Sequence, residues 1–248
     1  MTGRADSAAQ RIFCALDMTD REAAAVLAGR LAGAVGGVKL GLEFFGAQGP
    51  AGVAAVKESG LPLFLDLKFH DIPNTVAGAV RAVLPLAPTL LTVHAGGGRA
   101  MLEAARDAAA MAGARRPKII AVTVLTSLDD ADLDAVGQRG PALDQARRLA
   151  ELAQRAGVDG VVCSPKEVTA LRAQCGREFL LVVPGIRPAW AAAGDQKRVM
   201  TPAEAIAAGA DHLVIGRPIT GAADPAEAAR RIAAELPKGP ATGRPDAK

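Results

Sequence analysis

Hydrophobic and polar positions follow one another along the chain in a repeated two-part rhythm. Short, continuous apolar runs rich in Leu and β-branched residues fall at 12–16, 38–40, 63–67, 90–94, 119–125, 160–163, 180–183 and 212–215. A half-exposed strand would alternate apolar with polar, so unbroken runs of this length predict strands covered on both faces, as in a parallel sheet. Between them, longer mixed stretches at 20–31, 51–58, 75–83, 100–111, 143–156, 165–173, 202–208 and 225–235 predict helices. Alanine is frequent and suits either helix face, so the starts of these stretches are clearer than their apolar stripes. Thr19-Asp20 offers an N-cap to the first helix, and Ser164-Pro165, Thr201-Pro202 and Asp224-Pro225 each place a capping side chain before a proline at the first helical position. Eight strand–helix repeats with no break in composition predict an α/β fold, a single-domain (β/α)8 TIM barrel over 11–236. A doubly wound open sheet fits the count of eight less well. Residues 1–10, and the Pro-, Gly- and charge-rich 237–248, are expected to be flexible termini.

Composition narrows the class without changing that picture. Half of the residues are hydrophobic and 22% are charged, which excludes a disordered chain and leaves ample apolar surface for a large core. The 29 basic and 26 acidic side chains are scattered, and the aromatics are six Phe, one Trp and no Tyr, so neither a basic stripe nor a stacking platform for nucleic acid is present. No apolar run reaches the length of about 18 residues that a membrane helix needs. Three cysteines without CxxC spacing argue against a disulfide framework or structural zinc. With no apolar leader core near Met1, the expected location is the cytoplasm, with neither nucleic acid nor membrane as a partner.

A barrel concentrates its chemistry at the C-terminal ends of its strands. In chain order those ends carry Asp17, Lys39, Asp66-Leu67-Lys68-Phe69-His70-Asp71, His94, Thr126-Ser127, Ser164, Pro184-Gly185-Ile186-Arg187 and Gly216-Arg217. Asp66 and Lys68 stand two apart, so they face the same way while the strand lasts. One reading is a salt bridge on the barrel rim. The other is a preorganised Asp–Lys–Asp array of Asp66, Lys68 and Asp71, joined by Lys39 and Asp17. Alternating charges favour the ammonium form of a lysine, which suits a proton donor better than a Schiff-base amine. The loops after the seventh and eighth strands commonly bind phosphate in this fold, and here they supply glycines and two arginines. The connection 187–199, with Gln196 and Trp190, reads as a lid. His70, His94 and His212 are not expected to cluster, so no metal site is predicted; His94 is expected to order its neighbours by hydrogen bonds. Cys14 and Cys163 read as small core residues.

The run Asp66-Leu67-Lys68-Phe69-His70-Asp71-Ile72-Pro73-Asn74-Thr75-Val76 closely resembles the signature of the orotidine 5′-phosphate decarboxylase family. The similarity takes in Ala15-Leu16-Asp17, Lys39-Leu40-Gly41, Val93-His94-Ala95, Val124-Leu125-Thr126-Ser127, Val162-Cys163-Ser164, Pro184-Gly185-Ile186-Arg187 and Ile215-Gly216-Arg217-Pro218. Val183 departs from it, since the family more often has Thr before Pro-Gly. The resemblance implies a cofactor-free, metal-free decarboxylation of orotidine 5′-phosphate to UMP, closing de novo pyrimidine synthesis. It also implies a homodimer in which Asp71, Ile72 and Thr75 reach into the partner's site. Carried over by motif, Lys68 is the proton donor to C6, with Asp66, Lys39 and Asp71 completing the charged array. Asp17 and Lys39 meet the ribose, Thr126 and Ser127 the pyrimidine, and Gln196, Gly216 and Arg217 the phosphate, with Pro184 and Arg187 alongside. Magnesium-dependent sugar-phosphate decarboxylases and aldolases of the same barrel group resemble the chain in Asp-x-Lys-x-x-Asp. The Ile72-Pro73-Asn74-Thr75 continuation and Thr126-Ser127 favour the pyrimidine reaction. A non-catalytic nucleotide-binding barrel could dispense with one of Asp66, Lys68 and Asp71, and all three are present.

Overall fold

A strand of β-branched and Leu residues buries both faces where helices cover both sides of an open sheet, or where the sheet closes around a core and helices cover its outside. The computed structural model, which describes residues 8–138, 140–191 and 200–237, has the closed arrangement. In chain order come β1 (Ile12–Ala15), α1 (Arg21–Leu31), β2 (Gly37–Gly41), α2 (Leu42–Lys57), β3 (Leu63–Phe69) and α3 (Pro73–Val83). Next are β4 (Leu90–His94), α4 (Gly98–Ala110), β5 (Lys118–Val122), α5 (Asp130–Ala135) and α6 (Ala142–Arg155). The chain continues through β6 (Gly160–Val162), α7 (Val168–Cys175), β7 (Leu180–Val183) and α8 (Pro202–Ala208). It ends with β8 (His212–Ile215), α9 (Arg217–Thr220) and α10 (Pro225–Glu235). Each strand pairs in parallel with the next, and β8 closes on β1 through Ile12↔Leu213 and Cys14↔Ile215, giving the (β/α)8 barrel in one domain.

Side chains sort into two apolar compartments. Phe13, Phe64, Leu90, Ile120, Val182 and Val214 fill the barrel interior, where the rings of Phe13 and Phe64 meet edge-on at 5.8 Å and 82°. The intervening residues of the same strands, such as Cys14, Val38, Leu65, Val93 and Leu181, pack outward against the helices. Each large apolar side chain buried this way is worth about 1.5–3 kcal/mol. Cys14, Cys163 and Cys175 are all buried, and desolvation pushes their thiols up, that of Cys14 to about 12, as befits core residues.

The caps fall where the sequence puts them. Asp20 accepts the Ala23 N–H at 2.8 Å, Ser164 and Thr201 form reciprocal capping boxes with Glu167 and Glu204, and Asp224 caps α10. Other boundaries differ from expectation. The helix expected at 51–58 is present as the part of α2 after Pro50, and a further helical segment from Leu42 precedes it, the two separated by the non-helical backbone of Gly49 (φ 58°, ψ −161°). The fifth strand stops at Val122, and α5 and α9 are additional. Residues 8–10, expected with the flexible terminus, belong to the fold: Ala9–Arg11 make a 3₁₀ turn and Ala8 and Ala9 are buried. Residues 1–7 and 238–248 lie outside the described residues. Among the described residues no helix is long and apolar enough to cross a membrane.

Candidate active site

The inward positions near the ends of β2 and β3 are Lys39, Asp66 and Lys68, and they form one wall of a cavity of about 340 Å³ at the C-terminal mouth of the barrel. Phe64, Val122, Val162 and Val214, inward residues one layer lower or across the barrel, give this cavity an apolar lining. The charges run as an alternating chain. Asp17 Oδ1 lies 3.2 Å from Lys39 Nζ, Lys39 Nζ lies 3.7 Å from Asp66 Oδ2, and the same oxygen accepts a hydrogen bond from Lys68 Nζ at 2.8 Å. Lys39 and Asp66 are buried. A buried charge is costly unless paired, so these two are held in place by each other and by their more exposed neighbours Asp17 and Lys68.

Lys68 stands at an irregularity. The β3–β4 register advances four residues on β3, from Leu65 to Phe69, against two on β4, from Leu91 to Val93. Lys68 takes up part of the excess in a left-handed backbone conformation, φ 49°, which non-glycine residues seldom adopt. The array predicted from Asp66-x-Lys68 is therefore present, on a bulge and not on a regular strand. The third member of that reading is not joined to it within one chain. Asp71, Ile72 and Thr75 are exposed, outside the cavity wall, and Asp71 Oδ1 accepts the Ile72 N–H at 2.6 Å.

Across the cavity, Pro184, Gly185, Ile186 and Arg187 follow β7, and Gly216 and Arg217 follow β8. Gly185 takes a positive φ of 74°, which a side chain would strain. Ile186 bridges to Met200, and the Arg187 N–H donates to the Met200 carbonyl at 3.2 Å, so the two ends of the long β7–α8 connection are tied together. Gln196, with most of the expected lid, lies outside the described residues. Trp190 is anchored: Arg231 stacks over its ring at 4.3 Å and its indole N–H donates to Glu235 Oε1 at 2.7 Å. Thr126 lines the cavity, whereas Ser127 is exposed and outside its wall.

Two findings depart from the sequence reading. His70 and His94, expected apart, stack with ring centroids 5.0 Å apart and 14° between planes. Burial, followed by the proximity of His70 and Lys68, holds the His94 imidazole below its ordinary pKa, and its Nδ1 accepts the Gly96 N–H at 3.4 Å. The second is Thr92, fully buried, whose hydroxyl contacts both Asp66 and the Lys68 backbone. The available signal was a hydroxyl residue two positions before His94 in an otherwise apolar strand.

The arrangement can hold an anion between the arginines of the β7 and β8 loops and present its far end to two ammonium groups and a carboxylate. The family model described as "Orotidine 5′-phosphate decarboxylase / HUMPS family" matches residues 10–232. An orotidine 5′-phosphate decarboxylase of Rhodospirillum rubrum is 64% identical over 230 residues, covering 91% of this chain and 93% of that protein. The crystal structure of an uncharacterized conserved protein from Geobacillus kaustophilus superposes with a TM-score of 0.81 at 38% identity, over 91% of this chain and 100% of that one. Orotidine 5′-phosphate decarboxylase from Lactobacillus acidophilus gives a TM-score of 0.79 at 38% identity, over 91% and 98% of the two chains.

Proposed function

The chain belongs to the orotidine 5′-phosphate decarboxylase / HUMPS family, and from that premise we propose that it decarboxylates orotidine 5′-phosphate to UMP without a cofactor, with Lys68 protonating C6. The enzyme is a carbon–carbon lyase of pyrimidine biosynthesis. The observation that carries the finer reading is the Lys68 ammonium, 2.8 Å from Asp66 and facing a cavity whose other side bears Arg187 and Arg217.

The chemistry needs such an ammonium. Breaking the bond between C6 and the carboxylate releases CO2 and leaves the electron pair in the ring plane, where no adjacent π system can delocalise it. Stabilisation must then be electrostatic, from a charge fixed before the reaction begins. Lys68 Nζ supplies that charge, transfers a proton to C6 and is reprotonated from solvent. Asp17 and Lys39 meet the ribose hydroxyls, Thr126 and Ser127 the pyrimidine edge, and Gln196, Gly216 and Arg217 the phosphate, with Pro184 and Arg187 beside it. Contacts to a phosphate remote from C6 lower the barrier only if they help to assemble the charged array. Asp71, Ile72 and Thr75 serve the site of a second copy in a homodimer.

The test is the loss of orotidine 5′-phosphate absorbance on adding the protein, with and without EDTA. Wild type is expected to turn over equally in both. Lys68→Ala is expected to lose roughly 10²–10⁴-fold in kcat while still binding UMP. Near-normal turnover by Lys68→Ala would remove Lys68 from the mechanism. A requirement for added magnesium would point instead to sugar-phosphate chemistry.

A further inference from the structure

We infer that Thr92 is a positioning residue of the reaction: its hydroxyl fixes both the carboxylate of Asp66 and the backbone from which Lys68 projects. The inference rests on the role proposed for Lys68 above. Thr92 lies on β4 with no exposed surface, and it is not part of the cavity wall, so it cannot touch a substrate directly. A buried hydroxyl must be hydrogen-bonded, and here its one donor and an acceptor lone pair go to the charged array. It donates to Asp66 Oδ1 at 2.9 Å and accepts the Lys68 N–H at 2.9 Å.

The division of labour on Asp66 explains why this matters. Oδ2 faces Lys68 Nζ at 2.8 Å and Lys39 Nζ at 3.7 Å, while Oδ1 has the Thr92 hydroxyl. Without that hydroxyl Oδ1 loses its side-chain partner, and the carboxylate is oriented through Oδ2 alone. The second bond acts on Lys68 itself. Its N–H points out of the regular ladder because of the bulge, and its left-handed φ of 49° is unfavourable for a residue with a side chain. Thr92 gives that displaced N–H a partner, so it holds the turn that sets the direction in which the lysine enters the cavity. Threonine is stiff at χ1, which presets the hydroxyl between its two partners.

The experiment compares Thr92→Val, which keeps the shape and removes the hydroxyl, with Thr92→Ser, which keeps the hydroxyl. Decarboxylation is measured as kcat and KM, UMP binding by calorimetry, and folding by thermal melting. Thr92→Val is expected to lose roughly 10–100-fold in kcat, since displacement of a reacting group by about 1 Å has a cost of that order, while KM and UMP affinity stay near wild type. Thr92→Ser is expected to recover most of the lost turnover. A kcat for Thr92→Val equal to wild type overturns the inference, as does a loss in Thr92→Ser as large as that in Thr92→Val. If Thr92→Val fails to fold, Thr92→Cys, of similar volume and poor hydrogen-bonding power, is compared with Thr92→Ser in its place. Wild-type protein that leaves orotidine 5′-phosphate unchanged would overturn the functional reading itself, an outcome distinct from equal turnover by wild type and Thr92→Val.

Discussion

At the scale of single residues, Asp66 and Lys68 were legible because they share a strand. A spacing of two puts both side chains on one face, and their opposite charges at a buried edge then demand a pairing, which is found at 2.8 Å. Contacts between strands were not legible in the same way. Thr92 is 26 residues from Asp66 in sequence, and the two meet because β3 and β4 pair, Leu65 with Leu91, so the next residues fall side by side; the two-residue slip then turns the Lys68 N–H toward the same hydroxyl. The His70–His94 stack depends on that slip, which pairs Phe69 with Val93 and so brings the histidines, expected apart, side by side. Glu167 was hidden for another reason. Its capping role beside Ser164 is local, but its burial is tertiary: desolvation outweighs the Ser164 N–H bond and raises its carboxyl from 4.5 to about 7. A carboxyl raised in the folded state contributes stability that is fully present below about pH 4.5 and is lost as pH rises through about 7. Glu167→Gln lacks that loss. Relative to wild type, the variant is expected to gain stability steadily from about pH 4.5 to about pH 7, by on the order of 3 kcal/mol, and then level off. Urea melts of both proteins across that range measure it, and a pH-independent difference would mean that Glu167 titrates normally when folded.

At the scale of elements, the signals that survive are those carried by neighbouring residues. Asp20, Ser164, Thr201 and Asp224 announce helix starts because a cap needs only a side chain and the next turn's N–H groups. The helix α5 carries the same kind of signal, a reciprocal box between Asp129 and Asp132, but six residues are too few for an apolar period to support it. Glycines could be placed in strands without revealing why they are glycines. Gly160 opens β6, a strand of three residues, between Ile120 of β5 and Leu180 of β7. A Cβ there would lie 2.3 Å from the Leu180 carbonyl oxygen and 2.6 Å from the Leu180 Cβ, so β6 and β7 would have to separate. Gly160→Ala is expected to cost about 1–3 kcal/mol, as overpacking of a close-packed interior does, and to lower the urea midpoint without changing the slope of the transition. An unchanged midpoint would mean that the strands can part at no cost.

At the scale of the whole molecule, eight repeats sufficed for the barrel, because closing the sheet satisfies every strand edge and buries both faces of each run. A single chain, however, leaves part of the signature without work. Asp71, Ile72 and Thr75 sit in the most specific run of the sequence, yet all three are exposed outside the cavity, and Ile72, a large apolar side chain, is 67% exposed. A second copy related by a two-fold axis would use them, each subunit giving its loop to the other's site. The proposal makes an asymmetric prediction. Lys68→Ala and Asp71→Ala proteins are each expected to be nearly inactive. In a mixed dimer, one site carries both lesions while the other combines the intact Lys68 of one subunit with the intact Asp71 of its partner. After subunit exchange at equal concentrations, half of the dimers are mixed and half of their sites are whole, so turnover should return to about a quarter of the wild-type value. If Asp71 instead served the cavity of its own chain, no combination of these subunits would contain an intact site, and the mixture would remain as inactive as its parts.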